Sequence, residues 1–171
     1  ADDAIGGINA FVDAQRRDNP HARLTLVLFD NLYEVPWRSV PIADVAPLTR
    51  DTFVPRGSTA LHDAIGRAIG DRRSAQAALP PVDRPQVVIA ILTDGLENSS
   101  REFDGNRIRQ LIGERREDGW EFVFLAADQD AIASARTLNI PQHDAVAFRK
   151  NPAGVHRVFA YVATCGTEME R

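Results

Sequence analysis

The hydrophobic positions along the chain switch repeatedly between helical spacing and strand-like runs. Over residues 4–17, Ile5, Ile8 and Val12 recur at helical intervals, and Ala4 and Phe11 widen the stripe. Asp2 and Asp3 stand where a helix dipole favours negative charge, and Asn19-Pro20 stops the run. Residues 24–29 (Leu-Thr-Leu-Val-Leu-Phe) read as a mostly buried strand. Residues 33–40 follow after only Asp30-Asn31-Leu32, and a link that short predicts an antiparallel hairpin. Pro36 confines the second strand to an edge, because proline donates nothing to a ladder.

Residues 41–56 read as a long connection. Residues 59–70 are expected to be helical, with Leu61, Ile65, Ala68 and Ile69 on one face, followed by a polar loop over 71–85. Residues 87–92 (Val-Val-Ile-Ala-Ile-Leu) form a continuous apolar run, the composition of a central parallel strand covered on both faces. A helix over 106–116, a strand over 120–125, a helix over 129–138 and a short strand over 144–148 come next. A last helix opens at Asn151-Pro152, with asparagine as cap and proline at the first helical position. This alternation predicts an α/β fold with helices on both faces of a sheet. Ligands of such sheets sit outside the carboxyl ends of the strands.

Composition narrows the chemistry. The 171 residues, 44% hydrophobic and 26% charged, are expected to form a single domain, 1–171. A formal net charge of −4 argues against a nucleic-acid partner held by bulk charge. No apolar run approaches the length of a membrane span. Cys165 is the only cysteine, which excludes an intrachain disulfide or a cysteine zinc cluster and favours a reducing, cytoplasmic setting. Lys150 is the only lysine, so no phosphate-binding loop of the Walker type can be written. The four histidines form no metalloprotease pair, and no serine sits in a hydrolase elbow.

Two stretches remain as candidates for function. One is Gly57-Ser58-Thr59-Ala60-Leu61, at the start of a helix. The other is Thr93-Asp94-Gly95-Leu96-Glu97-Asn98, after the apolar strand. Each has an ordinary structural reading: Ser58 or Thr59 as a helix cap, and Asp94-Gly95 as a strand-ending turn. Together they place two oxygen donors, Thr59 and Asp94, at one edge of one sheet, which is the chemistry that Mg²⁺ requires. Glu97 and Asn98 lie near that edge, within reach of a ligand or a metal-bound water, although a solvated loop is the simpler reading. Asp63 reads as a dipole-compatible residue in the first helical turn, and His62 as a surface or half-buried side chain.

On these residues the chain resembles the von Willebrand factor A domain family in its bacterial, intracellular-type form. Gly57-Ser58-Thr59-Ala60-Leu61, the strand ending in Thr93-Asp94-Gly95, the antiparallel edge strand and Trp120-Glu121-Phe122-Val123-Phe124-Leu125 carry the resemblance. It implies a Rossmann-like fold, doubly wound, with a mostly parallel central sheet and one antiparallel edge strand. It also implies a metal-ion-dependent adhesion site. There Thr59 and Asp94 would hold Mg²⁺, or another divalent cation such as Mn²⁺, with Gly57, Ser58, Gly95, Glu97 and Asn98 as possible ligand-binding neighbours. The function so implied is a protein–protein interaction module, not an enzyme, whose partner offers an Asp or Glu carboxylate to the metal.

The family's Asp-x-Ser-x-Ser loop and the strand before it have no counterpart in the sequence, which opens where the family's first helix would begin. The expectation is that they precede Ala1. The alternatives are a strand donated by a partner, or direct pairing of the two flanking strands. Two other functions stand beside the leading one. The first is a metal-free interaction module with a degenerate site. The second is a Mg²⁺-dependent phosphoryl-transfer enzyme built on Asp30, whose position after a strand is similar to that of the haloacid-dehalogenase nucleophile. That pattern requires a second aspartate where Leu32 stands.

Overall fold

The computed structural model of the chain describes residues 2–52, 58–93, 96–126 and 129–147. The elements run α1 (Asp2–Asp18), β1 (Arg23–Phe29), β2 (Tyr33–Pro41), α2 (Leu61–Ala77), β3 (Val88–Thr93), α3 (Gly105–Glu117), β4 (Glu121–Ala126), α4 (Gln129–Thr137) and β5 (Ala145–Ala147). The fold is mixed α/β. The helix expected from Asn151 lies outside the described residues.

The hairpin forms as its short link demands. Asp30 accepts the Leu32 N–H through its carboxylate and donates its own N–H to the Leu32 carbonyl, closing the turn. β1 and β2 pair antiparallel, with register shifts on both sides of the Leu26↔Trp37 pair. One shift admits Pro36, whose missing donor is harmless at a bulge. The other admits Ser39 at φ +49°, where its N–H donates to the Thr25 hydroxyl. α1 packs beside this hairpin through Val12, Ile42 and Val45, with Ile8, Leu24, Trp37 and Val40 at the margin. Asn9 locks the connection in place: its amide donates to the Leu48 carbonyl and accepts the Leu48 N–H, at 2.9 and 2.7 Å.

β3, β4 and β5 form a second, parallel sheet in that order. β4 is its central strand. Phe122, Val123, Phe124 and Leu125 are all at most 2% exposed, and because alternate residues point to opposite faces, both faces are covered. The main core joins Leu61, Ile65 and Ile69 of α2 and Ile108 and Ile112 of α3 to Phe122 and Phe124. Ala135 and Leu138, from α4 and its end, complete it.

The described residues differ from the expectations in three places. The apolar run at 87–92, expected as a central strand, pairs among the described residues with β4 alone, and Val88 is 43% exposed and Ala90 is exposed. Among the described residues the strands form two sheets and no ladder joins β1 to β3, so the direct pairing of these two strands is not found. The helix expected to stop at Gly70 continues to Ala77. Gly70 is exposed, and Arg72 to Ala77 contain no helix breaker, so the only cost is the propensity of one glycine, about 1 kcal/mol.

Candidate functional site

The end of β1 and residue 98, in the segment that follows β3, meet the same short segment, residues 58–60, that leads into α2. Its backbone is held from both sides. The Ala60 N–H donates to the Asp30 carbonyl at the end of β1, at 2.8 Å. On the β3 side, the Thr59 N–H donates to the Asn98 side-chain oxygen at 2.9 Å, and the Asn98 N–H donates to the Thr59 carbonyl at 3.0 Å. Thr59 is thus fixed through its main chain. Among the described residues, its hydroxyl makes no hydrogen bond. Ser58 and Thr59 are half-buried. Asp30 is buried, 4% exposed, as is Thr93 at 6%.

Neither Ser58 nor Thr59 caps α2. The cap position is Ala60, which has no side-chain acceptor. The free N–H groups of the first turn are taken from outside the helix. His62 N–H donates to Glu97 Oε2 at 2.9 Å, and Asp63 N–H donates to the Ser100 hydroxyl at 3.1 Å. The other Glu97 oxygen accepts the N–H groups of Ser99 and Ser100, and the Ser100 hydroxyl donates to Glu97 Oε2 at 2.7 Å. Glu97 therefore receives four hydrogen bonds. Burial raises its pKa, but the Ser100 and His62 donors outweigh burial and hold the carboxylate below its ordinary range.

Asp63 repays the loop in kind. Its carboxylate accepts the N–H groups of Arg101, Glu102 and Phe103, each at 2.9 Å. Burial again raises its pKa, and these three donors bring it below the ordinary value. The Arg67 guanidinium grips the Glu102 carboxylate with two N–H groups. Arg67 also lies 5.5 Å from the centre of the Tyr33 ring. Burial and the Asp71 carboxylate push the Tyr33 hydroxyl up to about 12. Phe103 lies flat on Gly66: a Cβ there would stand 2.7 Å from the ring, so only glycine lets the loop close on the helix. The segment 97–103 is thus a clamp on the N-terminal turns of α2.

The structure places Asn98 against Thr59 and Glu97 against His62, in the first turn of α2. Gly57, Asp94 and Gly95 lie outside the described residues. The solvated-loop reading of Glu97 and Asn98 is replaced: both side chains are engaged in positioning 58–62. Asp63 and Ser100, read as a dipole-compatible residue and as plain loop, are structural partners of that clamp. A sequence signal existed only in part. Ser99 and Ser100 are local donors to Glu97, but the His62 N–H that ties it to α2 is 35 residues away in the chain. Among the described residues, no group of three or more His, Cys, Asp or Glu side chains is arranged to hold a metal. Nor is any helix among them long and apolar enough to cross a membrane. An open groove of about 520 Å³ runs along α3, lined by Arg109, Gly113, Glu117 and Asn139; it includes none of the residues of the edge.

No family model matches the chain, and no curated protein sequence is similar to it.

Proposed function

We propose that the protein is a protein–protein interaction module of the von Willebrand factor A kind. In this reading a divalent cation, Mg²⁺ or Mn²⁺, at the carboxyl edge of the strands binds a carboxylate of the partner. The strands would then belong to one doubly wound sheet, completed by a strand between β1 and β3. The observation that carries the reading is Thr59. Two hydrogen bonds from Asn98 hold its backbone, with a third on the neighbouring Ala60, while its hydroxyl makes no hydrogen bond among the described residues. A fixed hydroxyl at a strand edge suits a cation that demands near-octahedral oxygen geometry. Thr59 would supply one ligand and Asp94 a carboxylate. Glu97 does not fit as a direct ligand, because four protein donors already occupy it. Bound there, the metal would supply charge and one open coordination position, and no bond would be broken.

The second reading, a metal-free interaction module, draws on the same clamp. Both Glu97 and Asp63 spend their carboxylates on backbone N–H groups, which stabilises the edge without any ion. Thermal unfolding in EDTA and in about 10 mM Mg²⁺ separates the two. A site with a Kd near 0.1 mM adds ~2.7 kcal/mol, or roughly 5–10 °C in Tm for a chain of this size. Thr59→Ala and Asp94→Ala should each remove that shift and leave the Tm in EDTA within about 2 °C. An unchanged Tm for the unsubstituted chain favours the metal-free module.

A further inference from the structure

We propose that the groove along α3 is a self-association surface, on which two copies of this chain pack α3 against α3, antiparallel, about a twofold axis through Gly113. The lining of the groove follows one stripe of the helix. Asn106, Arg109, Gln110, Gly113 and Glu117 lie on the side opposite Ile108, Leu111 and Ile112, which face the core. Gly113 puts no side chain into the groove. The Asn139 amide stands beside it, with Nδ2 3.0 Å from the place a Cβ would take.

Charge symmetry selects the occupant. Arg109 stands four residues before Gly113, and Glu117 four residues after it. Four residues advance a helix by about 6 Å and turn it about 40° past a full circle. Arg109 therefore lies on one flank of Gly113 and Glu117 on the other, at equal distances. A twofold axis through Gly113 lays Arg109 of each copy on the partner's Glu117, so a single axis makes two ion pairs. By the same count, Gln110 meets the partner's Arg116. Gln110 donates its Nε2 to Glu114 at 2.9 Å and keeps its Oε1 to accept from that guanidinium. Within one chain, Arg109 and Glu117 stand about 12 Å apart along the axis, too far to pair. Among the described residues neither makes a hydrogen bond or ion pair, whereas Glu114 is engaged by Gln110 and Arg115. A purely acidic or purely basic partner would satisfy one of the two charges and be repelled by the other. α3 has 13 residues and is about 20 Å long. A contact of that length belongs at the small end of protein interfaces, so the dimer is weak and sensitive to salt. The inference uses α3 and Asn139 alone and is independent of the cation reading.

Sedimentation equilibrium of the chain from about 10 µM to 1 mM covers the dissociation constants of a small polar interface. The parent chain should show a monomer–dimer equilibrium, and raising NaCl from about 0.05 to 0.5 M should shift it toward monomer. Arg109→Glu and Glu117→Arg each turn both attractive pairs repulsive. Each should raise the dissociation constant roughly tenfold or more. Both side chains are exposed and neither reversal opposes the helix dipole, so the Tm of each monomer should match that of the parent. Mixed in equal amounts, the two variants should associate again, because both pairs are then attractive with their signs exchanged. The proposal is overturned if the parent chain stays monomeric over the whole range, which leaves the groove to another partner. It is equally overturned if either variant associates as the parent does, or if the mixture of the two stays monomeric.

Discussion

At the scale of single residues, Glu97 and Gly66 carry more of the edge than their types suggest. Glu97 joins α2 to its own loop through four donors. Hydrogen bonds to a charged acceptor stabilise by about 1.5–3 kcal/mol net. Glu97→Gln should therefore cost about 2 kcal/mol at pH 7, read by urea unfolding. The sign of the pH dependence follows from the direction of the shift. A carboxylate whose folded pKa lies below its unfolded value stabilises above the unfolded value, and that contribution fades as pH falls through the folded one. For Glu97 the ordinary value is 4.5 and for Asp63 it is 3.8, so this stabilisation is complete at neutral pH and declines below that range. The gap between the parent chain and Glu97→Gln should close on the same acid limb. Glu121 runs the other way. Burial and the Asp144 carboxylate raise its pKa, so its charge costs stability above its ordinary range. Glu121→Gln should raise the Tm at pH 7, and that gain should vanish as acid protonates the parent side chain.

At the scale of elements, the clamp between 97–103 and α2 acts as a unit. Gly66→Ala drives a methyl into the Phe103 ring, which sits 2.7 Å from the position of that Cβ. Overpacking of this kind costs about 1–3 kcal/mol. Phe103→Leu in the same chain should recover part of that loss, a coupling that a double-mutant cycle in urea measures directly. Additive losses would mean that the loop does not close on α2 through this contact. The helix ends show the same lesson about legibility. Ser58 and Thr59 look like caps from sequence, yet α2 begins after them and takes its caps from residues 97 and 100. A local pattern identifies a helix start. It does not identify a capping group that arrives from another loop.

At the scale of the whole molecule, two packed units share α2. The hairpin with α1 has its own small core around Val12, Ile42 and Val45. The parallel sheet with α2, α3 and α4 has the larger one. Their junction runs along two strand edges that no ladder joins among the described residues. If this junction is the weakest part of the fold, exchange of the β1 and β3 amides facing it should be faster than that of β4, whose residues 122–125 are at most 2% exposed. Equal protection across β1, β3 and β4 would show that the junction is closed in solution.

The elements themselves were legible from hydrophobic period and turn chemistry. The helix and strand order, the antiparallel hairpin and the edge position of Pro36 all follow from local pattern, because spacing and proline geometry act within a few residues. That the loop after the apolar strand comes near the segment before α2, Asn98 against Thr59, was legible too, since strand ends in an α/β alternation lie near one another. What only the tertiary structure decided was the neighbour of each strand and the work of each carboxylate. An aliphatic run such as 87–92 states that it prefers cover but not what supplies it, and among the described residues β4 pairs with it on one side. Asp63 looked like a dipole-matched acid because its donors lie 38 to 40 residues away, and the tie of Glu97 to α2 runs through His62, 35 residues away, separations at which sequence carries no geometric information.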